Sequence, residues 1–313
     1  MIPGSRTRWL RGKHANVDNI PFRMPVETRS SPAIFAGFSI DPDAAQALLP
    51  GQELQIVRAF SRAILIVATV NYQDTTIGRY VETCLGVVCT HGRGKPLPLA
   101  PLALPFLYGT GVYIYDLAVS TQISVKGGLG IWGMPKRQGN LDFVETPGSV
   151  SSQYDFEGQI VSRLDVPNRP PRLPFAFAGS AYGTFRGMLT KSRISGRGRV
   201  GLGLGATSTR LLLGDHHRAE PLKAMDIDPT ALFSGYAPAF KGVLNDHIET
   251  WFLTSDNPMA TSETGMKDVM ELKLSQEWLA PPDRVGSDAM FAGWSPEQCV
   301  GRSARTPLTG GLE

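Results

Sequence analysis

Apolar positions along this chain fall mostly into short runs with the two-residue alternation of strands, and few segments carry the spacing of a helix. RYVETCLGVV, residues 79–88, sets Tyr80, Glu82 and Cys84 on one face and Val81, Thr83 and Leu85 on the other. RAILIVATVNY, residues 62–72, is so continuously apolar that it predicts a strand covered on both faces. FAGFSI, ELQIVRAF, VYIYDLAV, NLDFVE, SQYDFE, QIVSRLDV, RGMLTKSRI, RVGLGLGATSTRLLLGD and GVLNDHIETWFLT predict further strands parted by Gly and Pro turns. VMELKLS, residues 269–275, predicts one more, followed by an extended tail.

Helix signals are sparse. In DPDAAQALLP, residues 41–50, Asp41 caps, Pro42 suits the first turn and Pro50 stops the helix. TQISVKGGLGIW, residues 121–132, predicts a helix or turn weakened by glycine. Residues 1–30 lack a regular pattern, and no internal repeat is visible. Many strands, few short helices and no strand–helix alternation predict a mostly β or α+β, antiparallel, barrel-like domain.

The segment KPLPLAPLALPFLYG, residues 95–109, breaks the pattern: it has too many prolines for a sheet interior and too many leucines for water. It is expected to pack as a lid over a site or as a subunit contact. GLGLG, residues 201–205, lacks the lysine and hydroxyl of a phosphate loop and predicts a thin, bent strand.

Composition narrows the classes. The 313 residues are 42% hydrophobic and 19% charged, enough for a substantial core. The net charge of +3 is dispersed, and the one basic run, KSRISGRGR at 191–199, has no aromatic residues for bases to stack on, so nucleic acid is not an expected partner. Cys84, Cys89 and Cys299 fit neither a disulfide framework nor a zinc spacing, which points to a reducing compartment. No secretory signal and no bilayer-spanning run is visible, so a cytoplasmic protein with no membrane partner is expected.

Chemistry concentrates in GGLGIWGMPKRQGN, residues 127–140. Gly128, Gly130 and Gly133 have the spacing of a dinucleotide fingerprint, but Pro135 forbids the helix that such a loop must open, so NAD binding is rejected. Asp215, His216, His217 and Glu220 suggest a metal, yet adjacent histidines on a strand end point to opposite faces, and no metal site is assigned. No cofactor is called for. Lys136, directly after Pro135, is the residue the segment leaves unexplained.

IWGMPK, preceded by the VYIYDLAV strand, resembles the Pro-Lys signature of the acetoacetate decarboxylase superfamily. RYVET resembles that family's tyrosine and glutamate strand, RLLLGDHHRAEPLKAMD its Asp-His and Pro-Leu segment, and DPDAAQALLPGQELQI its early helix and strand. The resemblance spans about residues 30–254. It implies a family-type domain over 30–254, an N-terminal extension over 1–29 and a C-terminal extension over 255–313.

The resemblance also implies roles. Lys136 would form a Schiff base with a ketone, Arg137 would be the cation that keeps the amine neutral, and Glu82 would organise protons. Tyr80, Tyr113, Trp132 and Met134 would contact a small keto acid or ketone. An amine attacks a carbonyl only when unprotonated, and at the ordinary lysine pKa of about 10.4 only roughly one in a few thousand is ready at pH 7. Desolvation and a neighbouring cation, the arrangement known for acetoacetate decarboxylase itself, raise that fraction. The implied activity is that of a lyase, with decarboxylation of a β-keto acid leading. An aldolase or dehydratase of the same superfamily, and a silent ligand-binding relative, are the alternatives. A homo-oligomer is implied as well.

Three departures bear on the substrate. Gly128, Leu129 and Gly130 stand where decarboxylases carry Gly-Arg-Glu, Val67 stands where a second glutamate is usual, and Arg29 is out of register with the family's substrate-facing arginine. These weaken acetoacetate as the substrate and leave imine chemistry standing.

Overall fold

A computed structural model describes residues 5–254 apart from 93, 95 and 207. The expected strand at 269–275, the tail and Cys299 lie outside the described residues. The chain opens with helix α1 (Ser5–Leu10) and the hairpin β1 (His14–Val17) and β2 (Ile20–Arg23). Next come β3 (Val26–Ile40), α2 (Pro42–Ala47), β4 (Leu54–Ile56), β5 (Ala63–Tyr72) and β6 (Tyr80–His91). One turn of helix, α3 (Ala100–Ala103), precedes β7 (Gly111–Val119), α4 (Gln122–Trp132) and β8 (Lys136–Gln138). Short strands β9 (Asn140–Leu141) and β10 (Val144–Glu145) lead to β11 (Ser149–Phe156) and β12 (Gln159–Pro167). Two long strands, β13 (Leu173–Phe185) and β14 (Met188–Ala206), are followed by β15 (Arg210–Leu213), α5 (Glu220–Lys223) and β16 (Ala231–Phe252).

Seven strands close on themselves in the order β6–β5–β3–β16–β14–β13–β7, because β7 pairs back to β6. Closure removes the open edges that a sheet of this size would otherwise expose. Most ladders are antiparallel as expected, but β7 makes two parallel pairings. Its edge away from β6 is shared: Gly111–Tyr113 pair with β13, and Leu117–Val119 pair with β8.

A second sheet, β10–β11–β12–β15, supplies Val150, Leu164 and Val166 to a core with the outer face of the barrel. Ile34, Ala36 and Phe38 of β3 and Leu65 and Val67 of β5 point into that core. Their neighbours Ile66, Ala68 and Val70 point the other way and line a cavity inside the barrel. This is why β5 is apolar on both faces: one faces a packed core and the other an internal cavity. Val67, where relatives were expected to carry an acid, belongs to the outer core and is 1% exposed.

The N-terminal stretch departs from its expected irregularity. Leu10, Met24 and Val26 are buried with Ile114, Leu117 and Trp132, and Phe22 packs against Gly127 of α4. Elements of four to six residues are too short to show a periodicity, so their order comes from this tertiary contact. Helix α2 follows expectation, with the Asp41 side chain accepting from the Asp43 and Ala44 amides. Residues 96–109 are largely exposed in the single chain, Leu97, Leu104, Phe106 and Leu107 among them. Among the described residues, no helix is long and apolar enough to cross a membrane.

Candidate active site

The turn from α4 to β8 places Lys136. Gly133 caps α4 in the left-handed conformation at φ 62°, where its amide reaches back to the Gly128 and Leu129 carbonyls. Pro135 then prevents helical continuation, and Lys136 starts a strand in parallel register with Leu117. The helix glycines serve close packing. A Cβ on Gly128 would overlap the aliphatic stem of Lys136, and one on Gly130 would overlap Val17. The fingerprint-like spacing is thus a smooth helix face against which a lysine and a hairpin are laid.

Lys136 is 6% exposed and lines the barrel cavity, which has a volume of about 350 Å³. Its Nζ lies 2.6 Å from Glu82 Oε2 and donates to Ser124 Oγ at 3.1 Å. Glu82 Oε1 accepts from the Tyr72 hydroxyl at 3.4 Å, and the Tyr72 and Tyr80 rings stack with centroids 4.5 Å apart. Tyr80 sets its ring 5.5 Å from the ammonium. One lysine, one carboxylate, two phenols and a serine therefore form a compact polar group at a cavity whose other walls are mostly apolar.

Burial and then the Glu82 charge hold the Tyr72 and Tyr80 phenols well above their ordinary range. The Cys84 thiol, also in the lining, is pushed up to about 12, chiefly by burial and next by Glu82. All three stay protonated at neutral pH.

Of the residues expected at the site, Lys136, Glu82, Tyr80 and Met134 line one cavity. Tyr113 and Trp132 do not. Tyr113 alternates outward from β7 to pack on the outer core, and the buried Trp132 donates through Nε1 to the Asn245 carbonyl. Arg137 also faces away, because neighbouring residues on β8 point to opposite sides. Its Nε lies 2.8 Å from Asp116 Oδ1, a carboxylate with no exposed surface, and its guanidinium rests over Phe156. Burial raises the Asp116 pKa, an effect that the Arg137 charge opposes. The pair ties β7 to β8 in register, so the implied role of Arg137 as a cation beside the Lys136 amine does not match its position.

Arg29, exposed and 3.9 Å from Asp74, does not line the cavity. His216 is buried, accepts the Arg218 amide through Nδ1 and meets the Phe156 ring edge-on. No cluster of metal-ligating side chains occurs among the described residues. None of the described residues of 95–109 lines the cavity, and Phe106 lies beside the Arg193 guanidinium.

Tyr72 and Ser124 were not anticipated. Tyr72 continues the alternating face of Ile66, Ala68 and Val70 and pairs directly with Tyr80. Ser124 precedes Gly128 by four positions, which puts both on one helix face toward Lys136. Those two spacings are the signals that could have found them.

The family model for acetoacetate decarboxylase (ADC) matches residues 13–174. Among solved structures, acetoacetate decarboxylase from Legionella pneumophila aligns with a TM-score of 0.53 at 15% identity, covering 72% of this chain and 88% of that one. Another acetoacetate decarboxylase aligns at 0.52 and 14% identity over 74% and 90% of the two chains. The enduracididine biosynthesis enzyme MppR, complexed with the condensation product of pyruvate and imidazole 4-carboxaldehyde, aligns more loosely, at 0.48 and 15% identity over 74% and 90%. No curated protein matches the chain significantly. At such identities the structural likeness concerns the fold alone.

Proposed function

Because the chain belongs to the acetoacetate decarboxylase family, we propose that Lys136 condenses with the carbonyl of a β-keto acid and that the resulting imine drives loss of carbon dioxide. The observation that carries this reading is the buried Lys136 Nζ, held 2.6 Å from Glu82 inside an otherwise apolar cavity. A solvent-facing lysine after a turn would show neither the burial nor the partner.

Glu82 accepts the ammonium proton, and the free Nζ electron pair attacks the ketone carbon. A C–N bond forms, the carbonyl oxygen leaves as water, and a protonated imine remains. The bond to the carboxylate then breaks. Carbon dioxide departs, and the electron pair moves through the new carbon–carbon double bond onto nitrogen, giving an enamine. A proton delivered to the enamine carbon restores the imine, and water hydrolyses it to a ketone and free Lys136. Over the cycle one keto acid anion and one proton become one ketone and carbon dioxide. Ser124 orients Nζ, and the stacked phenols of Tyr72 and Tyr80 keep bulk water from the Glu82 carboxylate.

Borohydride reduction in the presence of β-keto acids, followed by intact-protein mass spectrometry, tests this reading. A stable adduct on Lys136 is expected, with none in Lys136→Ala. An adduct of full yield in that variant would place the nucleophile elsewhere. Carbon dioxide release measured on the same samples identifies the reaction.

A further inference from the structure

The cavity that Lys136 enters is larger and less polar than a four-carbon keto acid requires. A water-sized group occupies ~30 Å³, so a volume of about 350 Å³ holds roughly a dozen such groups. It extends along the inner face of the barrel. Val70 lies opposite Glu82, and Ile66, which also lines the cavity, lies opposite Gly86. Four residues of strand separate these levels, which is ~13 Å. Between and beyond them the walls are Ala68, Ile114, Ala181, Ile194, Phe177 and Phe240.

Charge in the lining is as restricted as polarity. The charged side chains are Lys136, Glu82 and Glu27. Lys136 is engaged by Glu82, so an anionic group at the far end of a substrate would find no cation in the wall. Burying an unpaired charge in such a place is strongly unfavourable.

We infer that the substrate carries an uncharged, unbranched aliphatic tail of about four to eight carbons, running from the imine carbon along the apolar inner face of the barrel. The inference rests on the imine reading for the position of the reacting carbon, and on the cavity alone for the tail. Gly179, a lining residue that is exposed to solvent, marks a position where its path opens outward. It lies between Phe177 and Ala181 on the face of β13 that lines the cavity, and a Cβ added there meets no atom within 4 Å. A side chain at Gly179 therefore enters open space without displacing a neighbour.

The test uses three probes on the full-length protein: propanone, the methyl ketone with a hexyl chain, and the counterpart of the latter whose terminal methyl is replaced by carboxylate. Calorimetric affinity and borohydride-trapped adduct are both measured. Affinity is expected to rise about fourfold per added methylene, equivalent to ~0.8 kcal/mol each. The carboxylated probe is expected to lose at least about a hundredfold against its uncharged counterpart, the order expected for burying an unpaired charge. Gly179→Leu is expected to lower the affinity ratio of hexyl ketone to propanone by about tenfold through loss of tail space. Trapping on Lys136 with an affinity that does not change with chain length would overturn the tail and leave the chemistry. An affinity that climbs with chain length, with no adduct from any probe, would support the tail and overturn the chemistry. Equal affinity for the charged and uncharged chains, or an unchanged ratio in Gly179→Leu, would place the tail outside this cavity.

Discussion

Gly128 and Lys136 are in contact across the turn that joins α4 to β8: the bare Cα of one is the floor on which the aliphatic stem of the other rests. No side-chain atom stands at the point where the lysine crosses the helix. Gly128→Ala is therefore expected to act on the amine more than on the fold. The added methyl costs about 1–3 kcal/mol as overpacking and regains about 1 kcal/mol of helix propensity. Thermal unfolding should shift little, whereas the rate of borohydride-trappable imine should fall at least about tenfold, since each 1.4 kcal/mol of misplacement is a factor of ten. A trapping rate equal to the parent would show that the stem has freedom to move.

In the proposed mechanism Glu82 is the base within reach of the amine. Glu82→Gln keeps its shape and its capacity to accept from Tyr72 but removes the charge facing Lys136. Turnover per folded molecule should drop by about 10²- to 10⁴-fold, with circular dichroism unchanged. Turnover within twofold of the parent would make the glutamate a structural partner of the lysine and no more.

Arg137 calls for the opposite dissociation. Arg137→Ala leaves Asp116 buried without its cation, a change that costs about 3–5 kcal/mol when an ion pair loses one member. Arg137→Lys retains a charge and should lose less. In both variants the molecules that remain folded should still trap a carbonyl on Lys136, because Arg137 faces the far side of β8. Unfolding in denaturant and trapping below its midpoint check the two halves. A stable Arg137→Ala protein that no longer forms imine would restore the arginine to the chemistry.

The residues that made the site legible were those whose chemistry depends on chain neighbours. Pro135-Lys136 and the alternation around Glu82 identified two groups that do share the cavity, and the rejection of a nucleotide loop on account of Pro135 agrees with the role that Gly128 and Gly133 take. The barrel-like class followed from strand spacing alone. Arg137 was misplaced because a resemblance transfers sequence adjacency, whereas alternation on a strand sends adjacent side chains apart. Tyr113 was misjudged for the same reason. Alternation put Tyr72 on the face of Ile66, Ala68 and Val70, but that this face meets Tyr80 and Glu82 depends on the pairing of β5 with β6, a relation between distant segments.

Seven of the eight tyrosines, among them Tyr72, Tyr80, Tyr113, Tyr154 and Tyr182, are held above their ordinary pKa, with burial the first cause in each. Their contribution to stability is fully present below the unfolded-state pKa of about 10. Above that pH the unfolded chain sheds protons that the folded chain retains, so stability falls as pH rises. Alkaline titration should therefore show most tyrosinate absorbance appearing in one cooperative step that coincides with loss of far-ultraviolet circular dichroism. Gradual ionisation of these phenols near pH 10 with the fold intact would contradict their burial.

The shared edge of β7 separates two responsibilities. The hydrogen bonds that close the barrel run through β6 on one side and through Gly111–Tyr113 to β13 on the other, while the strand bearing Lys136 occupies three separate positions, Leu117–Val119. The reactive residue is thus carried on a graft, and the frame that accepts it is complete without it. Selection for chemistry and selection for folding act on different bonds of the same strand. Position 136 can be rewritten, to remove the amine or seat another nucleophile, without reopening the ring, provided that the buried Met134 and the Arg137–Asp116 pair beside it are kept.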